Sequence, residues 1–149
     1  MIVPTYGFIW GKIMRFAVIL ASSLLAATTA LAADAYPTKP VLKTSKTVVD
    51  ETIVYPTTGP AQVKADIVTI APGADTVFHR HGVPMFAYIL KGTVVVDYGD
   101  KGKKTFTAGQ GMVEAMNTTH RGTNPGTEPV EILAVYMGAE GAENVIPMK

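Results

Sequence analysis

From residue 46 onward the chain alternates short runs of β-branched and aromatic residues with clusters of Gly, Pro, Asn and Asp. Runs of this kind read as strands separated by turns. The first covers 47–55 and is closed by Pro56-Thr57-Thr58-Gly59-Pro60. In the second, 61–70, Ala61, Val63, Ala65 and Ile67 alternate with Gln62, Lys64 and Asp66, the period-2 pattern of a half-buried strand. Ala71-Pro72-Gly73 then turns the chain. Further strands are predicted at 76–81, 86–90, 93–98, 103–107, 111–115, 120–123 and 130–137, with a hairpin at Gly99-Asp100-Lys101-Gly102. No helical period of useful length appears after residue 32, and no repeat interrupts the series. Many short strands at close, even spacing predict an all-β sandwich or barrel. Met112, Met116, Phe78, Phe86 and Phe106 are its expected core candidates.

The opening segment follows a different pattern. From Met14 a short basic start (Met14-Arg15) leads into an apolar run and then into Ala30-Leu31-Ala32. That order predicts a secretory signal helix over 1–32, cleaved after Ala32, with Met14 as an alternative start. An uncleaved anchor is the competing reading, but Ser22, Ser23, Thr28 and Thr29 dilute the run, and a spanning helix needs about 20 predominantly apolar residues. Residues 33–46, rich in Pro, Lys and Thr, read as an extended arm; 47–138 is the expected barrel and 139–149 a tail. A periplasmic or secreted protein is implied, with no membrane contact after cleavage.

Composition then narrows the chemistry. The 149 residues carry 13 Lys+Arg and 12 Asp+Glu, which offers no broad basic face and argues against a nucleic-acid partner. Removing Lys12 and Arg15 with the signal leaves 11 basic against 12 acidic residues. With no cysteine there is no disulfide, thiolate metal site or thiol nucleophile. Imidazole is the remaining strong ligand for transition metals, and the chain has three histidines.

His79 and His81 lie two residues apart on a predicted strand, so both imidazoles point to one face and Arg80 to the other. His120 follows a separate turn and is the candidate third ligand. The full spacing is Gly73-x5-His79-x-His81-x3-Met85-x6-Gly92, then Gly109-x10-His120-x3-Asn124. This resembles the cupin superfamily, whose first motif is G-x5-H-x-H-x3,4-E-x6-G and whose second is G-x5-P-x-G-x2-H-x3-N. The resemblance implies a double-stranded β-helix, or jelly-roll barrel, that holds a divalent metal and commonly pairs as a homodimer. The chain departs from the motifs at Met85, where the family has a glutamate ligand, and at Ala115 and Asn117.

His79, His81 and His120 are therefore the expected metal ligands, for iron, manganese, nickel or zinc ahead of copper. Met85 is expected to line the pocket. Its other readings are a thioether ligand to copper and a degenerate site without metal. Three neutral imidazoles leave the ion its full charge, so the expected ligand or substrate is a small anionic molecule. Glu114 and Tyr88 are the candidate proton-transfer groups, and Asn124 a pocket-side support for His120 or its turn. The expected function is a metal-dependent oxidoreductase of dioxygenase type, with isomerase chemistry a variant. The alternative is a non-catalytic small-molecule-binding or storage barrel.

Overall fold

A computed structural model describes residues 36–149, and Pro40–Lys149 forms one folded unit. The expected signal helix over 1–32 lies outside the described residues. Nine strands follow in order: β1 (Ala61–Ile70), β2 (His79–Arg80), β3 (Met85–Lys91), β4 (Thr93–Asp97), β5 (Lys103–Thr107), β6 (Gly111–Val113), β7 (Arg121–Thr123), β8 (Val130–Ala139) and β9 (Ile146–Pro147). One sheet has the order β1-β8-β3-β6, a second β5-β4-β7, and β2 pairs with β9. All named pairs are antiparallel. The domain is all-β, as the strand-and-turn pattern predicts.

The four- and three-stranded sheets turn apolar faces toward one another. Val68 and Ile70 of β1, Met85 and Ala87 of β3 and Ile132 and Ala134 of β8 line one side of a central cavity; Val94 and Val96 of β4 line the other. Below it Ile89, Val94, Val130, Tyr98 and Ala115 close the core, each almost inaccessible to solvent. At the β3–β4 corner the register slips between Ile89 and Lys91, and Gly92 adopts φ +80°. A side chain at 92 would sit 2.9 Å from Val130 Cγ2, so only glycine fits both the turn and the packing.

Three elements differ from the sequence pattern. The stretch 47–55 is not a strand. It turns at Asp50, whose φ of 68° is the left-handed conformation that Asp tolerates, leaving one bridge between Lys46 and Thr52. In β1 the buried face is the opposite of the one expected: Val63 and Ile67 are 69% and 56% exposed, while Val68 and Ile70 face inward. From Ile67 the strand carries apolar residues on both faces, Ile67 on one and Val68 and Ile70 on the other, and pairing of Val68 with Ile132 and Ile70 with Val130 fixes which face is buried. Finally, the 139–149 segment does not trail away: it returns as β9 against His79 and Arg80. Among the expected core residues Phe78 is instead 43% exposed, with the Arg121 guanidinium 4.7 Å above its ring.

Candidate metal centre

Strand register brings the three histidines together. His79 and His120 are directly opposite partners of an antiparallel bridge, exchanging both backbone hydrogen bonds at 2.9 Å. Opposed residues in such a pair project from the same face, and the two rings lie with centroids 4.5 Å apart. His81, two residues beyond His79, adds the third ring at 5.0 and 5.2 Å from the others. Arg80 between them is exposed, as strand alternation requires.

The hydrogen bonds fix which nitrogen of each ring is free. Nδ1 of His79 meets the Val77 carbonyl at 2.8 Å, that of His81 the Asn144 carbonyl at 2.9 Å, and that of His120 the Thr118 carbonyl at 2.9 Å. A carbonyl oxygen only accepts, so each Nδ1 carries the proton and each Nε2 presents a lone pair. The three ligand atoms fall within 4.8 Å of one another. Nε2 of His81 is buried with no hydrogen-bond partner at all. An orphaned acceptor in a core is costly, about 1–3 kcal/mol, unless something occupies the position toward which it points. A divalent cation fits that position and the imidazole donor set.

Burial also keeps the rings neutral, which ligation requires. Desolvation lowers the pKa of His79 and His120 and takes His81 down to about 4, outweighing the hydrogen bonds to backbone carbonyls that work in the other direction. Glu114 is buried beside them, and desolvation raises its pKa. Its Oε1 accepts from the Tyr98 hydroxyl and from the Ala115 amide, both at 2.7 Å, while Oε2 faces His120 Nε2 at 4.0 Å. Burial thus disfavours the charged form of both partners in this contact.

These shifts make a pH dependence. Histidines with depressed folded pKa values bind fewer protons when folded, so their stabilisation is lost as pH falls from about 6.5 toward 4. Glu114 opposes this, because its raised pKa makes the folded state the stronger proton binder, but it is one group against three. Metal-free protein is expected to lose roughly 3 kcal/mol over that window from His81 alone. Urea midpoints at pH 7.5 and 4.5 check this; an unchanged midpoint would mean that the rings are solvated.

The other sequence candidates divide. Met85 lines the cavity, 7% exposed, on the inward face of β3 with Ala87 and Ile89. Tyr88 lies between those two inward residues and therefore points out of the cavity, which removes it as a proton carrier. Asn124 is also away from the cavity wall. It is fully buried, donates from Nδ2 to the Ile70 and Glu128 carbonyls and accepts from the Gly126 amide, locking the turn after β7 rather than touching His120.

Three contributors were not singled out by the sequence. Tyr98 continues the inward alternation Val94, Val96, and that period was its available signal. Glu51 accepts bonds from the amides of Met116, Asn117 and Thr118 and from the Thr118 hydroxyl, tying down the loop that delivers His120. Asn144 acts through its backbone carbonyl, which no sequence pattern reveals.

With this geometry in place, comparison with known proteins is decisive. A family model described as the cupin domain matches residues 66–136, the stretch that contains all three histidines. The chain carries a cupin domain over those residues. No curated protein sequence matches it. Among solved structures this cupin is similar to the oxalate decarboxylase of Lactobacillus farciminis in its formate complex, with 25% identity and a TM-score of 0.50 over 58% of this chain and 26% of that one. It is also similar to oxalate decarboxylase from Bacillus subtilis at pH 4.6, with 22% identity and a TM-score of 0.48 over 58% and 23% of the two chains. The cupin described here thus spans about a quarter of the length of these enzymes.

Proposed function

We propose that this cupin holds a divalent transition metal on His79, His81 and His120 and acts as an oxidoreductase of dioxygenase type on a small anionic molecule. The observation that carries the reading is the convergence of three Nε2 lone pairs, one of them orphaned in the core, at the edge of an apolar cavity. Bound there, a metal of the iron, manganese, nickel or zinc type supplies Lewis acidity and, for iron, a redox couple. The chain supplies the rest. Three protein ligands would leave such an ion further positions for water or substrate. Glu114 Oε2 stands beside the site to take or return a proton, and Tyr98 holds that carboxyl in place through Oε1. The apolar walls offer bulk water few hydrogen-bond partners beside the site.

The test is elemental analysis of protein loaded under reducing, metal-replete conditions, followed by oxygen uptake by the iron form against panels of phenolics, diketones and thiols. One metal per chain with substrate-dependent uptake supports the proposal. Protein without stoichiometric metal would sink it. Because Glu114 is, among the described residues, the one carboxyl on the cavity wall, a binding-only barrel is the second reading. Tight ligand binding without turnover selects that one.

Export through the 1–32 signal is proposed on the order of basic, apolar and small residues. Protein recovered from the periplasm should begin at Ala33, and an uncleaved N-terminus there would refute cleavage. We also propose a homodimer through the outer face of β1, an edge strand with Val63 and Ile67 exposed beside the half-buried Leu133, Val135 and Met137 of β8. Light scattering should give twice the chain mass for the wild type and one chain for Ile67→Lys; a monomeric wild type excludes pairing.

A further inference from the structure

The cavity beside the three histidines has a volume of about 260 Å³. Its walls are almost wholly aliphatic or thioether: Val68, Ile70, Met85, Val94, Met112 and Ile132 among them. Among the described residues no lysine, arginine, asparagine or glutamine lines it, and away from the histidines and Glu114 its polar side chains are those of Thr76 and Tyr136. The mouth is apolar as well, since the lining residues Val77 and Val145 are 67% and 36% exposed. A charged or multiply hydroxylated molecule would thus find partners at one end only. Its remaining polar atoms would be desolvated without compensation.

From this distribution we infer the substrate class. The cavity takes a monocarboxylate, or a comparable single-headed anion, whose head meets the histidine centre and whose body is a compact apolar group of ring or short-chain size. This deepens the metal-centre reading above and rests on it for recognition of the head. The size follows from volume: a dry apolar cavity of roughly 150 Å³ already holds benzene. The 260 Å³ found here accommodates such a ring together with a carboxylate. A small dianion such as oxalate, the substrate in the names of the similar decarboxylases, would leave most of the aliphatic wall unfilled. It would also place its outer oxygens against a wall whose other polar side chains are Thr76 and Tyr136, and the Thr76 hydroxyl already donates to the Val77 carbonyl.

The test uses full-length protein loaded with cobalt(II), whose visible absorption reports ligation at the metal, titrated with acetate, butanoate, hexanoate, phenylacetate and oxalate. Each buried methylene is worth ~0.8 kcal/mol, or about fourfold in affinity, so hexanoate should bind roughly a hundredfold or more tighter than acetate. Oxalate should bind more weakly than hexanoate. Independently of the metal, ¹³C-methyl methionine NMR should show hexanoate shifting the Met85 and Met112 signals and leaving Met116 in place. Ala134→Leu narrows the cavity and should flatten the series; Ala87→Val gives the same test if that variant does not fold. A flat series in the wild type, oxalate tighter than hexanoate, or shifts at Met116 alone overturns this inference while cobalt binding stands. Failure to bind cobalt at all overturns the metal-centre reading and the head-group assignment with it.

Discussion

Replacing His81 with leucine is expected to abolish metal binding while leaving the metal-free domain as stable as the wild type, or slightly more so. The two effects separate because the side chain has two different nitrogens. Nδ1 donates one hydrogen bond to the Asn144 carbonyl, worth about 0.5–1.5 kcal/mol net. Nε2 is buried without a partner and costs the metal-free fold about 1–3 kcal/mol. Leucine removes both, and as an aliphatic side chain suits the apolar surroundings of Met85 and Tyr136. A histidine retained for packing would behave in the opposite way, with stability lost and no metal to lose. The measurement is thermal unfolding with and without metal. Ligand present at a hundred times its dissociation constant stabilises the native state by ~2.7 kcal/mol, which for a domain of this size raises Tm by on the order of 10 °C. Wild-type protein should show that rise and His81→Leu none. An equal rise in both would place the metal elsewhere.

That contrast also explains why the site was legible in the sequence while its surroundings were not. The His79/His81 pair carries through to geometry because its step is local, two residues on a strand sharing a face, whereas His120 meets them by pairing across 41 residues and was legible only through the motif resemblance. Met85 was readable for the same reason. Tyr88 was misplaced because parity within β3 had not been tied to the histidines, although Met85, Ala87 and Ile89 set it once any one of them is known to face inward. The inverted facing of β1 has a different origin. Its first half alternates cleanly, its last four residues put Ile67 on one face and Val68 and Ile70 on the other, and only the register with β8, a contact across 60 residues or more, decides between the two faces. Glu51 and Asn144 were invisible because their roles are non-local. Glu51 acts on backbone amides some 65 residues away, and Asn144 through a group that every residue possesses. What single-sequence patterning conveys is thus the ligand set, and what it omits is the scaffolding that orients it.

Deleting the last nine residues should therefore weaken metal binding even though it removes none of the three ligands. The segment contributes the Asn144 carbonyl that orients His81, the Val145 side chain on the cavity wall, and β9, which pairs with the His79 strand. Met148 adds an amide bond to the Phe78 carbonyl at 2.8 Å. Loss of an outer partner that fixes a ligating histidine typically costs 10–100-fold in affinity, and here the tautomer of His81 and the edge support of His79 are lost together. A point substitution separates orientation from mere loss of bulk. Gly82 is packed so closely under the segment that a Cβ there would lie 2.3 Å from the Glu143 carbonyl oxygen, a backbone atom that cannot swing aside. Gly82→Ala should consequently lift 143–147 from its place and reproduce most of the truncation's effect, with Gly141→Ala, next to open space, as a control for composition. That control has its own strain at φ +76°, so it is read by metal affinity relative to its own unfolding midpoint. Competition titration with a chelator of known affinity makes the measurement. Should truncated and Gly82→Ala proteins hold metal as tightly as the wild type, the C-terminal strand is cover and not part of the centre.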